Sequence, residues 1–183
     1  MIRLTGGEFR GRKLITPAAA TTHPMGERER LALFNMISAR LSLNGALVLD
    51  AYAGSGALGL EALSRGAEKV WFAENQREAL QCIQKNIFAL GVEKKAVTSP
   101  VKVQNFGQLE PQARLFNLIL IDPPYDNFKK TEFLHLENLL LDNGILALSH
   151  PHSINPTEIF STKMQLVASK KYAAAQLSLF TKN

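Results

Sequence analysis

Two stretches of the chain end apolar runs with an acid, the pattern by which open α/β sheets present ligand-binding groups at their carboxyl edge. In the first, Ala46-Leu47-Val48-Leu49-Asp50 is followed by the small residues Ala53-Gly54-Ser55-Gly56. The run reads as a buried parallel strand and the glycines as a tight turn into a helix, where the missing Cβ atoms let a ligand approach the backbone. In the second, Leu118-Ile119-Leu120-Ile121 runs into Asp122-Pro123-Pro124-Tyr125. Two successive prolines remove two N–H donors and fix an extended, rigid exit from the strand. A third acid, Glu74, closes Lys69-Val70-Trp71-Phe72-Ala73 and lies 24 residues after Asp50. That is near the spacing of about 20 residues at which an acid meets a ribose hydroxyl in dinucleotide-binding folds.

These groups need a scaffold, and the rest of the sequence supplies one. Residues 1–16 read as a β-hairpin with Gly6, Gly7 and Gly11 in its turns. Arg10-Gly11-Arg12-Lys13 puts three cations on a flexible tip, suited to phosphates and equally readable as a solvated turn. A linker from Thr16 to Met25 precedes a helix from Glu27 to Leu41, with Leu31, Phe34, Ile37 and Leu41 as its apolar stripe. Glu27 and Glu29 fall in its first turn, where the helix dipole favours acids. Further helices are predicted over Ala57 to Arg65, Gln76 to Leu90 with Gly91 as C-cap, and Thr131 to Leu141. Between them lie a strand over Val97 to Gln104, shortened or displaced to an edge by Pro100, and a strand over Ile145 to Leu148. Leu166 to Tyr172 and Gln176 to Thr181 read as a closing antiparallel hairpin around Ala173-Ala174-Ala175. His150 and His152 have no carboxylate or third ligand beside them, so no metal site is expected.

Strand–glycine loop–helix followed by strand–Asp-Pro-Pro-Tyr resembles the methyltransferases that modify an exocyclic amine of a nucleobase. The resemblance sharpens with Gly6-Gly7-Glu8-Phe9-Arg10-Gly11-Arg12-Lys13-Leu14, with Pro24, Glu27, Arg28, Arg30 and Ala32-Leu33-Phe34-Asn35, and with Leu58-Gly59-Leu60-Glu61-Ala62-Leu63-Ser64-Arg65-Gly66-Ala67. Over nearly its whole length the chain is similar to the RsmD-type family of bacterial 16S ribosomal RNA (guanine-N2)-methyltransferases.

The resemblance implies a Rossmann-like class I methyltransferase fold: a seven-stranded mixed sheet with helices on both faces, plus an N-terminal β-hairpin extension. Residues 1–26 would be the RNA-binding extension and residues 27–183 the catalytic domain. The implied cofactor is S-adenosylmethionine, leaving as S-adenosylhomocysteine, without a metal. Asp50 with the Gly54 and Gly56 backbone would hold its methionine end, Glu74 the ribose, and Asn105 and Phe106 the adenine, although Phe106 reads equally as a core aromatic; Ala53, Ser55 and Asn75 would complete the cofactor-binding set. Asp122, Pro123, Pro124 and Tyr125 would be the catalytic group, and Arg10, Arg12, Lys13, Arg28 and Arg30 would meet RNA, the last two from the substrate side of the first helix. The implied partner is ribosomal RNA within a small-subunit particle, engaged by a monomer. Three positions depart from the family pattern: His23 stands for an arginine, Asn105 for an aspartate and Ser149 for an acid.

Composition fits this reading. The 183 residues, 46% of them hydrophobic, suffice for one full core. No apolar run approaches the roughly 20 residues that span a bilayer, and Met1 to Glu8 lacks the apolar segment of a secretory signal. A cytoplasmic protein without a membrane partner is expected. The net charge of +5 favours a polyanionic partner. Lone Cys82 excludes an intrachain disulfide and reads as a packing residue. Two other readings stay open: a DNA adenine-N6 or cytosine-N4 methyltransferase, since Asp-Pro-Pro-Tyr serves any exocyclic amine, and a catalytically inactive nucleic-acid-binding relative.

Overall fold

In the computed structural model, residues 2–17, 25–108, 115–172 and 175–182 are described. His23 and the Ala173-Ala174 turn lie outside them. The elements run β1 (Ile2–Arg3), β2 (Lys13–Leu14), α1 (Glu27–Ser38), β3 (Leu47–Asp50), α2 (Ala57–Ser64), β4 (Lys69–Ala73), α3 (Arg77–Leu90), β5 (Ala96–Ser99), β6 (Phe116–Ile121), β7 (Leu140–His150), β8 (Met164–Lys171) and β9 (Gln176–Lys182). β1 and β2 pair antiparallel; the other strands form one mixed sheet in the order β5-β4-β3-β6-β7-β9-β8. β3 through β7 are parallel, and β9 inserts antiparallel between β7 and β8. The seven-stranded sheet and its closing hairpin are as expected, and β5 is indeed a short edge strand.

Alternate residues of the parallel strands feed two cores. Val48, Val70, Phe72, Leu118 and Leu120 point to one face, where Leu33, Phe34 and Ile37 of α1, Leu60 of α2 and Ile83 and Ile87 of α3 cover them. Leu49, Trp71, Ile119 and Ile121 point to the other, against Phe106, Phe133 and Leu136. The second cover differs from the expectation. Instead of a helix from Thr131 to Leu141 there are short 3₁₀ turns at Lys130–Glu132 and Leu134–Leu139, and β7 begins at Leu140. Asn143 sits at φ 63° inside that strand, a left-handed conformation asparagine tolerates, so Asn143-Gly144 is an irregularity within β7 and not a turn ahead of it.

The N-terminal hairpin is no free appendage. Ile2, Leu4 and Leu14 are buried in the same core as β3, and Glu61 of α2 gathers the polar contacts around them. Its carboxylate accepts from the Thr5 backbone N–H (2.7 Å) and the Thr5 hydroxyl (2.8 Å) and pairs with Arg65 at 2.8 Å and Arg30 at 3.5 Å. Arg30 also donates to the Met25 and Arg3 carbonyls. The apolar stripe expected on α1 is therefore rotated: Leu31 is exposed, and Arg30 lies on the buried face with Leu33, Phe34 and Ile37. Burial lowers the Arg30 pKa from its ordinary value, and Glu61 opposes that shift.

A buried ion pair deprived of one member leaves an uncompensated charge, a loss of about 3–5 kcal/mol. Glu61→Ala is expected to destabilise the fold by that amount in denaturant unfolding and to expose the segment around Thr5 to proteolysis. A variant as stable as the parent would show that the cluster does not hold the hairpin.

Candidate active site

The strand order reverses beside β3, and ligands of open α/β sheets bind at the carboxyl ends of the strands at such a switch. Here the expected loop forms. The Ala53 N–H donates to the Ala73 carbonyl (3.2 Å), the Gly56 N–H returns to the Ala53 carbonyl (2.6 Å), and Gly56 begins α2 at φ 81°. Gly54 adopts φ 54° with no atom within 4 Å of where a Cβ would stand, so its outer side is open. The Ser55 carbonyl accepts from Asn86 of α3 (3.0 Å), which anchors the loop from behind.

Asp50 is buried beneath this loop. Its Oδ2 accepts the Gly59 N–H at 2.8 Å, a close approach that a side chain on Gly59 would prevent by colliding with Phe72 and Val70. Its Oδ1 is buried without a partner among the described residues. Burial, helped by the charges of Asp122 and Glu74 and opposed by the Gly59 bond, pushes the Asp50 carboxyl up to about 7. Glu74 works differently. Its Oε2 accepts the Gly54 N–H (2.9 Å), while Oε1 accepts the Asn75 and Gln76 N–H groups (2.7 and 2.8 Å) at the start of α3. The carboxylate thus ties the glycine loop to the helix.

A cavity of about 210 Å³ opens beside Glu74, lined by Ala51, Tyr52, Glu74, Asn75, Glu132 and the segment 101–104. Two of the residues expected to bind the cofactor, Glu74 and Asn75, are thus on its wall. The Tyr52 hydroxyl donates to the Glu132 carboxylate (3.2 Å) at its wall, a pair that sequence reasoning misses because Glu132 falls in the helix expected from Thr131. The adenine expectation needs correction. Phe106 is buried in the second core against Phe116, which removes its ring from any ligand, and the wall is made by Val101 to Gln104, not by Asn105. The signal was available: Phe106 follows an apolar Val103 at core spacing.

On the neighbouring strand, β6 delivers Asp122-Pro123-Pro124-Tyr125 to the same edge. Burial, with the Glu29 charge from α1 adding, raises the Asp122 carboxyl to about 6, and a hydrogen bond with Ser149 opposes the shift. The Tyr125 hydroxyl is also bonded to Ser149. An ionised carboxylate can only accept, so Ser149 donates to Asp122 and accepts from Tyr125. Ser149, flagged in the sequence only as a departure, is the residue that joins the two. Its signal was its register: Leu148 pairs with Ile121, so Ser149 stands opposite Asp122.

The cationic positions divide. Arg10, Arg12 and Lys13 are exposed, as is Arg28. Arg12 donates to the Ala89 carbonyl (2.8 Å) in the last turn of α3, the end remote from Glu74, so the tip is hydrogen-bonded to the body of the protein. Arg30 is fully buried in the Glu61 cluster and is withdrawn from the RNA-facing set. Both rings of the suspected histidine pair have other partners: His150 bonds Ser178 (2.9 Å) and the Pro151 carbonyl, and His152 the Tyr172 carbonyl (2.7 Å).

A mixed seven-stranded sheet with a glycine loop after β3, an acid closing β4 and an Asp-Pro-Pro-Tyr exit from β6 defines a Rossmann-like methyltransferase domain. A family model described as conserved hypothetical protein 95 matches residues 2–181, and the chain belongs to this family, the RsmD-type methyltransferases. Ribosomal RNA small subunit methyltransferase D of Escherichia coli is 37% identical over 146 residues, spanning 80% of this chain and 70% of the relative. The fold matches the solved structure of yhhF, a candidate methyltransferase of Escherichia coli, with a TM-score of 0.84 at 29% identity over 100% of this chain and 98% of that one. A hypothetical protein of Thermus thermophilus matches with a TM-score of 0.80 at 28% identity, over 98% of each chain.

Removing the Ser149 hydroxyl deletes a bond that favours the ionised Asp122, so Ser149→Ala raises the Asp122 midpoint further above about 6. Carboxyl-detected NMR titration reads the shift directly. An unmoved midpoint in this variant would remove Ser149 from the site.

Proposed function

We propose that the chain transfers a methyl group from S-adenosylmethionine to the exocyclic N2 amine of a guanine in small-subunit (16S) ribosomal RNA. The observation that carries this reading is the Asp122-Pro123-Pro124-Tyr125 exit at the mouth of β6, its Tyr125 hydroxyl bonded to Ser149, beside the strand whose following loop is tied through the Gly54 N–H to Glu74. The name of the Escherichia coli relative supports the RNA target, and the exposed Arg10, Arg12, Lys13 and Arg28 suit a polyanion.

The residues fit the donor. The orphaned Asp50 Oδ1 and the open side of Gly54 lie at its methionine end, and Glu74 and Asn75 line the cavity for its ribose. When bound, the donor supplies an electrophilic methyl group on a sulfonium, and the carboxylates of Glu74 and Asp122, joined by Asp50 in its ionised form, favour that positive charge. A guanine N2 is a weak nucleophile because its lone pair is delocalised into the ring. Asp122 and the Pro123 carbonyl accept its two N–H groups, which turns the lone pair toward the methyl and stabilises the charge developing on nitrogen. Tyr125, held by Ser149, stacks on the base, a contact worth roughly 1–3 kcal/mol in single-strand readers. The guanine must be unpaired or flipped to reach this position. Alignment of nucleophile and methyl does most of the work. The substrate particle, the monomeric state and a cytoplasmic location belong to the same reading.

Asp122 accepts an N–H well only when ionised. Its carboxyl lies at about 6, above the ordinary carboxylate range, so kcat/KM for methyl transfer falls as pH drops through about 6. Labelled methyl transfer measured in parallel on small subunits, free ribosomal RNA and duplex DNA is expected to mark RNA, with Asp122→Ala roughly 100-fold slower or worse. Label in DNA alone, or an unimpaired Asp122→Ala enzyme, would overturn the proposal.

A further inference from the structure

Helix α3 carries a surface that the methyl-transfer site does not use. Phe88 is 77% exposed, the highest value among the exposed large apolar side chains of the described residues. A single exposed aromatic is ordinary. What distinguishes this one is the charge around it, although half-exposed Ile15 is also hydrogen-bonded to this helix through Asn86. Lys85 lies one turn earlier on the same exposed face, the Arg12 guanidinium rests on the carbonyl of the adjacent Ala89, and Arg10 lies beside it in the hairpin tip. The turn after the helix adds exposed Lys94 and Lys95. Against these five cations stand the exposed acids Glu8 and Glu93.

The position of the surface matters as much as its charge. α3 starts beside Glu74 at the cavity, and Phe88 follows Arg77 by eleven residues, roughly 16 Å along the axis at about 1.5 Å per residue. The hairpin tip is anchored to the remote ends of two helices: the Glu8 N–H donates to the Ser64 carbonyl at the end of α2 (2.7 Å), and Arg12 to Ala89 near the end of α3. These cations therefore cannot hold the nucleotide undergoing reaction.

We infer that the C-terminal face of α3, with Phe88 at its centre and the hairpin tip alongside, is a second RNA-docking surface that grips the substrate away from the reacting base. The inference rests on the RNA reading above. Cations hold the phosphates, and the Phe88 ring offers a platform for one unstacked base, the combination used by proteins that bind single-stranded segments. A substrate long enough to cover both surfaces is bound by both; one short enough to fill only the Asp122 mouth is not.

The test compares the parent with Phe88→Ala, Phe88→Tyr and Lys85→Ala on free 16S ribosomal RNA, on small subunits and on a short oligonucleotide carrying the target guanine. Phe88→Ala is expected to raise KM for the long RNA about tenfold while leaving kcat, S-adenosylmethionine binding by calorimetry and KM for the oligonucleotide unchanged. Phe88→Tyr should restore binding, because the stacking face survives. Lys85→Ala should weaken binding less and reduce its salt dependence. Unchanged KM for long RNA in Phe88→Ala overturns the inference. So does a loss confined to small subunits and absent on free RNA, which would make the surface a contact for ribosomal protein. Failure of the parent itself to methylate any RNA would instead overturn the functional reading on which the surface depends.

Discussion

Everything at the site depends on the parallel pairing of β3 with β6. The register sets Asp50 opposite Leu120, so Asp122 emerges only two residues further along, roughly 6–7 Å at the rise of a strand. Two acids are thereby brought to one edge of the sheet from sequence positions far apart. Burial holds both carboxyls above the ordinary range, and at Asp50 the neighbouring Asp122 charge adds to it. Burial thus disfavours the charged carboxylates, and a positively charged donor entering beside them would draw both back toward the ionised form. Backbone donors make this tolerable: the Gly59 N–H in the first turn of α2 donates to Asp50, and the Gly54 N–H of the glycine loop to Glu74.

Much of this was legible in the sequence because it lies in strands and tight turns. An apolar run closing on an acid has one sensible place in a parallel sheet; Gly54 and Gly56 mark a turn because they reach positive φ without strain, and the Pro123-Pro124 pair because it fixes φ. The failures share a cause. Arg30, Phe106 and the segment from Thr131 to Leu141 owe their placement to tertiary contacts that residue type does not report. Arginine at a helical position reads as solvent-facing until a buried Glu61 on another helix is known to be waiting for it. Helical periodicity from Thr131 gave way to 3₁₀ turns that seat Phe133 and Leu136 over β6 and place Glu132 against Tyr52.

Charge is partitioned by the same logic. Arg30 and Arg65 serve the fold by pinning the N-terminal hairpin through Glu61, while Arg12 commits part of its hydrogen-bonding capacity to a helix end and keeps the rest exposed. The hairpin is thus tied by hydrogen bonds to the body of the protein, and the exposed cations it carries lie by the end of α3 remote from the site. A separation of this kind suits a substrate that is itself folded, as ribosomal RNA is.

The most direct test of the central claim is the chemical identity of the product. Small-subunit ribosomal RNA methylated by the purified protein and digested to nucleosides should yield N2-methylguanosine as the single new species in mass spectrometry, with none formed by Asp122→Ala. Methyl groups recovered on adenine N6, on cytosine N4 or on protein would contradict the account, because the acceptor pair formed by Asp122 and the Pro123 carbonyl would then be serving a different amine.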